Sequence, residues 1–157
     1  FSPKSLETWK RFLDLFSPMS DMIDYFLFQL PPNFTPKVHH KIESFLENTD
    51  TSTKFALEPR NEGWFCNKMY EWAMSLKITW VSIDAPEFSR EIIKTSDTIY
   101  LRMHGRTGWY HHNYIQTELK EIASRIINAR PTSVYIFFNN NHNMLKNAQA
   151  MAKILKA

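Results

Sequence analysis

The residues that could do chemistry in this sequence stand at the ends of short apolar runs. The richest set follows the run TIYLRM, where His104 and Arg106 are followed closely by Trp109 and Tyr110. Burying imidazole and guanidinium groups is costly unless each finds a partner, so a run that ends in them is either well networked or functional. Other apolar runs end in comparable polar groups, which are Gln29, Glu58 with Arg60, Asp84, and Asn139 with Asn140.

The basic residues among them predict a pocket for a small anionic ligand. Guanidinium groups bind carboxylate or phosphate through paired hydrogen bonds, so Arg60 and Arg106 are the expected anion contacts. His104 and Glu58 are the expected catalytic residues, acting by acid–base chemistry on a phosphorylated or sugar-like substrate. The structural alternative is a buried ion pair between Glu58 and Arg102, with His104 simply bonded to a neighbour.

A divalent metal is a further alternative, although the sequence predicts no definite cofactor. Glu58, Asp84 and His104 follow three successive apolar runs, and their oxygen and nitrogen atoms suit magnesium, manganese or zinc. Asp84 also has a plainer interpretation as a turn residue shortly before Pro86.

Aromatic and amide side chains complete the predicted substrate-binding set. Trp64, Trp109 and Tyr110 fall in loops just past the apolar runs and could stack on a sugar ring or a base. Gln29 and Asn139 could orient a substrate by amide hydrogen bonds, whereas Asn140 is interpreted as a helix cap. Because aromatic and basic residues also bind single strands, a nucleic-acid-binding or metal-dependent nuclease-like module stays the alternative function.

Composition limits these alternatives. The 157 residues fit one domain, 1–157, with 43% apolar residues and a net charge of +3. Lys and Arg are scattered, which supports a nucleic-acid surface only weakly. No apolar run is long enough to span a membrane, no leader is evident, and Cys66 is the only cysteine, so we expect a cytoplasmic protein without membrane contact.

Regular elements predict how these residues are positioned. Strands are expected near 25–30, 53–58, 78–84, 99–104 and 133–138, and segments with helical periodicity lie between most of them. Alternation of strands and helices predicts a parallel sheet.

Strand parity refines this α/β prediction. Side chains alternate between the two faces of a strand, and Gln29, Glu58, His104 and Asn139 share the face opposite the uniformly apolar one. A face that becomes polar towards the carboxyl ends of parallel strands is typical of the lumen of a TIM-type barrel, where active sites lie.

Four motifs carry a resemblance to a known family. They are FQLPPNF at 28–34, ALEPRNEGWF at 56–65, YLRMHGRTGWY at 100–110 and VYIFFNN at 134–140. In this order they resemble the YecE-like family, domain of unknown function 72. The resemblance covers essentially the whole chain.

The resemblance implies a parallel, TIM-barrel-like fold. Family members look longer, with about three further strands before the region that corresponds to Phe1, so 1–157 would supply the last five strands of an eight-stranded barrel. Part of a barrel would leave two exposed strand edges. The family offers no established reaction to transfer, so the chemistry rests on the residues above.

Overall fold

The computed structural model describes residues 1–49 and 51–156. Its strands are Phe26–Gln29 (β1), Phe55–Glu58 (β2), Thr79–Asp84 (β3), Thr98–Met103 (β4) and Ser133–Phe138 (β5). Its α-helices are Pro3–Phe16 (α1), His40–Glu47 (α2), Asn67–Ser75 (α3), Gln116–Asn128 (α4) and Met144–Lys156 (α5). The predicted α/β class is therefore confirmed, and each predicted strand occurs within two residues of its expected bounds.

Local sequence explains where these elements begin and end. Ser2 accepts a hydrogen bond from the backbone of Ser5 and Pro3 occupies the first turn, so α1 starts with a capping box and a preset proline. β2 begins at Phe55, later than predicted, because Ser52–Lys54 form a short 3-10 helix. Pro59 follows β2 directly and cannot donate to a sheet, so the strand ends there.

Contacts divide the chain into two compact units, Phe1–Thr79 and Trp80–Ala157. In the first unit β1 and β2 pair in parallel, with Gln29 opposite Glu58. Its interior is aromatic: Phe28 stacks on Phe55 with ring centroids 4.0 Å apart, and Trp9 contacts Phe28 at 4.9 Å. The prediction of a single domain over 1–157 is not decided by this division and stays a prediction.

In the second unit β4 pairs in parallel with β3 and with β5, so the predicted parallel arrangement is confirmed for every pair described. The core lies between β4 and the two helices of this unit, and it is made by Ile99, Leu101, Met103, Leu119, Ile122, Ile126 and Met151. Leu101 and Met103 thus occupy the helix-covered face, as strand parity predicts.

Helix length bears on the membrane prediction. Among the residues described, no helix combines the length and the apolar character that crossing a membrane requires.

Candidate functional site

Asp84, at the end of β3, holds the chain that follows β4. It is 2% exposed, and its carboxylate accepts hydrogen bonds from the Tyr114 hydroxyl at 2.8 Å and from Arg106 Nε at 3.0 Å. Its backbone carbonyl accepts the N–H groups of His104 and Gly105, at 2.8 and 3.2 Å. Asp84 therefore fixes the first residues of the segment 104–115, which is called the β4–α4 loop below.

Gly105 makes the tight path of this loop sterically feasible. Its φ of +119° lies in a region that side chains rarely tolerate, and an added Cβ would lie 2.5 Å from the carbonyl oxygen of Gly108 and 2.9 Å from the Cβ of His112. Its N–H also donates to the Tyr114 hydroxyl at 3.0 Å. Glycine is required here because the loop folds back onto itself.

Arg106 is surrounded by carboxylates. Besides Asp84, its Nη1 donates to Glu121 at 2.9 Å and lies 3.8 Å from Glu118. Burial alone would lower the pKa of Arg106, but the charges and hydrogen bonds of Asp84 and Glu121 outweigh it and raise that pKa. The remaining nitrogen, Nη2, is buried and has no hydrogen-bond partner among the residues described.

His104 lies beneath two aromatic rings of the loop. The imidazole is fully buried, with ring centroids 5.2 Å from Trp109 and 5.5 Å from Tyr110. Trp109 is oriented by its indole N–H, which donates to Glu87 at 2.6 Å, while Tyr110 is exposed at the surface. The loop thus places two aromatic rings against the imidazole.

A second network closes the base of the loop, and sequence reasoning did not foresee it. His112 Nε2 lies 2.9 Å from Glu118, and its Nδ1 lies 3.1 Å from the Thr107 hydroxyl. Burial would raise the pKa of Glu118, but the N–H of Ile115 and the neighbouring His112 lower it below its usual value. A signal was present, since Glu118 stands in the first turn of α4, where carboxylates accept free backbone N–H groups.

Asn140 stands at the N-cap position of the short 3-10 helix Asn141–Asn143, but the predicted capping role of its side chain is wrong. Its side chain makes no capping hydrogen bond; instead its Nδ2 donates to the carbonyl of His112 at 2.8 Å and to Asn147 Oδ1 at 2.7 Å. Asn147 in turn bonds the backbone N–H and carbonyl of Tyr114. The position before a short helix favoured a cap, but the Asn140 amide instead donates to buried groups of His112 and Asn147. Asn139 is half-buried, and its N–H donates to Met103 at 2.9 Å.

In the first unit, the predicted residues Glu58, Arg60 and Gln29 come together. Glu58 is fully buried, and its Oε1 lies 2.6 Å from Arg60 Nη2 and accepts from Gln29 Nε2 at 3.1 Å. Trp64 is also fully buried, and its indole N–H donates to the Phe34 carbonyl at 2.7 Å. Its ring is therefore part of the interior, not of an open loop surface.

Two further predictions concern groups of these residues. The joint pocket of Glu58 and Arg60 with His104, Arg106 and Asn139 stays a prediction, because its members belong to different units. For the metal alternative, the part of the chain that the structure describes holds no cluster of three or more His, Cys, Asp or Glu side chains placed to bind an ion.

These features define the class of the protein: an α/β protein with parallel strands whose β4–α4 loop is tied down by buried polar groups. The chain belongs to the family described as "Protein of unknown function DUF72", whose model matches residues 2–157. This confirms the family that the four motifs indicate, since the YecE-like family is the same one. The comparison with curated proteins finds no match.

Crystal structures of DUF72 family proteins are similar to this chain. One from Thermotoga maritima shares 26% identity with a TM-score of 0.85, and the match covers 96% of this chain and 65% of that one. One from Enterococcus faecalis has 18% identity, a TM-score of 0.88 and coverage of 100% and 68%. At that identity the likeness shows the fold alone. The chain thus spans about two thirds of the length of these proteins.

Proposed function

We infer that the β4–α4 loop forms part of a binding site for a small anionic ligand, with a phosphorylated or sugar-like substrate as the expected class. In this proposal Arg106 contacts the anion and His104 serves as general acid or base. Tyr110 and Trp109 cover the ligand and stack on it. Glu58 and Arg60, with Gln29 and Asn139, remain the predicted further members of the site.

The observation that carries the proposal is the buried Nη2 of Arg106, a donor without a partner among the residues described. A buried N–H that lacks an acceptor costs about 1–3 kcal/mol, and more when it is charged. The other guanidinium nitrogens are fixed by Asp84 and Glu121, so Nη2 is held in place and needs an oxygen. A phosphate or carboxylate oxygen would supply a charge-assisted hydrogen bond there.

Two of the three carboxylates near Arg106 also have other partners. Although three carboxylates approach the guanidinium, Glu121 also pairs with Arg125 at 2.8 Å and Glu118 with His112 at 2.9 Å. Only Asp84 depends on Arg106 as its cationic partner among the ion pairs that the structure describes. Because carboxylates surround the guanidinium, an anion would be held here chiefly by the charge-assisted hydrogen bond to Nη2.

A phosphate titration of the wild type and of Arg106→Lys tests anion binding. Lysine keeps a positive charge but lacks the second nitrogen of the fork. Inorganic phosphate should raise the unfolding temperature of the wild type and leave that of the variant unchanged. Arg125→Lys is the matched control, because it disturbs the same carboxylate cluster and leaves Arg106 intact. Equal stabilisation of all three proteins would remove the anion site.

His104→Gln tests the catalytic assignment. A catalytic His104 predicts near-normal stability, with loss of turnover on a phosphorylated sugar that binds the wild type. A purely structural His104 predicts a stability loss of about 1 kcal/mol or more, with ligand binding unchanged. Thermal unfolding with and without the sugar phosphate separates these results.

The alternative function, a nucleic-acid-binding or nuclease-like module, requires a different ligand for the same aromatic and basic residues. It predicts binding of a short single-stranded oligonucleotide that weakens steeply with salt, and cleavage that depends on an added divalent metal. Negligible binding at low salt would exclude it.

Two broader expectations belong to the proposal. The arrangement of the five strands as part of a TIM-type barrel is the geometry that would gather their carboxyl ends into one site. A cytoplasmic location is supported by the single cysteine, Cys66, which is a free thiol.

A further inference from the structure

A groove of about 640 Å³ lies on the second unit; Asn113, Tyr114 and Ile115 of the β4–α4 loop line it, whereas His104, Arg106, Trp109 and Tyr110 do not. Its accessible apolar lining comes from Ile115, just before α4, and from Ala150 and Ile154 of α5. Three lysines line it as well, and all three are exposed: Lys120, Lys146 and Lys153. The three apolar residues and the three lysines define what is called the lysine groove below.

Asn147 is a polar lining residue whose amide is already occupied. Asn147 lines it but is only 2% exposed. Its Nδ2 donates to the Tyr114 carbonyl at 2.9 Å, and its Oδ1 accepts from Asn140 at 2.7 Å and from the Tyr114 N–H at 3.2 Å. A ligand in the groove would therefore meet apolar surface, the exposed amides of Asn113 and Gln116, and three ammonium groups.

The charge of the rim has one sign. The lining residues that the structure describes include three lysines and no aspartate or glutamate. A rim with charge of one sign attracts a partner that brings the opposite charge. Apolar surface flanked by cations is complementary to an amphipathic anion.

The size of the groove favours a small molecule over a peptide helix. Lys146 and Lys153 are seven residues apart on α5, which places them about 10 Å apart along the helix axis. A helical partner of that length would have two turns and would be marginal in water. The volume lies within the range of about 300–1,000 Å³ that is usual for small-molecule sites.

We propose that the lysine groove binds a small amphipathic carboxylate, with its aliphatic chain on Ile115, Ala150 and Ile154 and its carboxylate among the lysines. Burial of the chain supplies the affinity, because apolar area leaves water. The exposed ammonium groups supply the preference for an anion.

The test is an NMR titration of the wild-type chain with octanoate, with octan-1-ol as the uncharged probe of the same chain length. Octanoate should shift the amide signals of Ile115, Ala150 and Ile154 and saturate, and octan-1-ol should bind more weakly. The double variant Lys146→Glu/Lys153→Glu should bind octanoate roughly tenfold more weakly. Lys10→Glu/Lys68→Glu, with the same charge change at exposed positions of the first unit, should bind as the wild type does.

A second variant tests the apolar part independently. Ala150→Phe fills the groove and should abolish saturable octanoate binding, provided that its unfolding temperature shows a folded protein. Several results would overturn the proposal: no saturable shift in the wild type, equal loss of affinity in both charge-reversed variants, or unchanged binding when the groove is filled. An acidic amphipathic peptide that shifts these signals when octanoate does not would also overturn it.

Discussion

Two strand ends in this molecule bury a carboxylate, and they do so in different ways. Glu58, at the end of β2, is paired with Arg60, only two residues further along the chain. Asp84, at the end of β3, is bonded to Arg106 and Tyr114, which lie 22 and 30 residues later. Glu58 also accepts a hydrogen bond from Gln29 of the neighbouring strand β1, whereas the partners of Asp84 lie in the loop that follows β4. A buried carboxylate can therefore connect neighbouring strand ends or serve as the fixed point of a long loop.

Substitution of Asp84 should have the largest effect on stability. Asp84→Ala leaves Arg106 and the Tyr114 hydroxyl without their buried acceptor, and removal of one partner of a buried ion pair costs about 3–5 kcal/mol. Glu121→Ala removes another carboxylate from the same guanidinium, but Glu121 is half exposed, so it should cost less than about 1 kcal/mol. Chemical denaturation measures both. Similar costs for the two variants would contradict the anchoring role of Asp84.

The same contrast between nearby and distant partners explains how much about these strand ends could be predicted from the sequence. Apolar runs ended by proline or polar residues located β1 to β5 correctly, since strand formation depends on nearby residues. They also located Glu58, Asp84 and His104 at strand ends. The partners of Asp84 could not be predicted, because no periodicity sets the distance from a strand end to Tyr114 across an irregular loop.

Asn140 shows that a local sequence signal can also mislead. Its position just before a short helix predicted a cap, and that local signal was outweighed by buried partners, the carbonyl of His112 and the amide of Asn147. Glu118 had a local signal in the first turn of α4, yet its contact with His112 depends on how the loop returns to the helix. The sequence therefore predicts the short-range roles of these side chains, but not the partners that they meet only in the folded structure.

Gly105 should be the next most sensitive position. Gly105→Ala forces a side chain onto a φ of +119° and places its Cβ against the carbonyl of Gly108, so we expect a loss of about 3 kcal/mol. Gly108→Ala is the matched control in the same loop, because a Cβ there meets nothing within 4 Å. Thermal unfolding of both variants is the measurement. Equal stability of the Gly105→Ala and Gly108→Ala variants would show that the loop does not need this close approach.

Tyr114→Phe should have an intermediate effect that depends on pH. Removing the hydroxyl leaves Asp84 Oδ1 and the Gly105 N–H without this partner, at a cost of about 1–3 kcal/mol near neutral pH. Burial and the adjacent Asp84 carboxylate raise the pKa of Tyr114 above its usual value of 10.0. The unfolded chain therefore releases the phenol proton first, and stability falls as the pH rises above 10. The phenylalanine variant should lose part of that alkaline slope in denaturation curves; an unchanged slope would contradict the contact.

A smaller effect is expected at the contact between Gln29 and Glu58 in the first unit. Gln29→Ala removes one donor from Glu58 Oε1, but Gln29 is exposed and Arg60 remains, so we expect a loss of about 0.5–1.5 kcal/mol. Phe28→Ala, at the preceding position of β1, is the comparison for a change that removes packing instead of a hydrogen bond, and it should cost more. A loss at Gln29 as large as that at Asp84 would remove the distinction between the two strand ends.

The smallest effect should come from Glu118, and it should be lost in acid. The Ile115 N–H and His112 lower the pKa of Glu118 despite its partial burial, so the folded chain holds this carboxylate ionised more strongly than the unfolded chain does. Its contribution to stability is therefore present above the usual pKa of 4.5 and is lost as the pH falls through the lower folded value.

Glu118→Gln should be less stable than the wild type at neutral pH by less than about 1 kcal/mol, and this difference should shrink on acidification. Glu71→Gln, an exposed substitution on α3, should show no such convergence. Denaturation midpoints measured from neutral pH down to about pH 3 would test this, and a difference that grows in acid would contradict the role of Glu118 at the base of the loop.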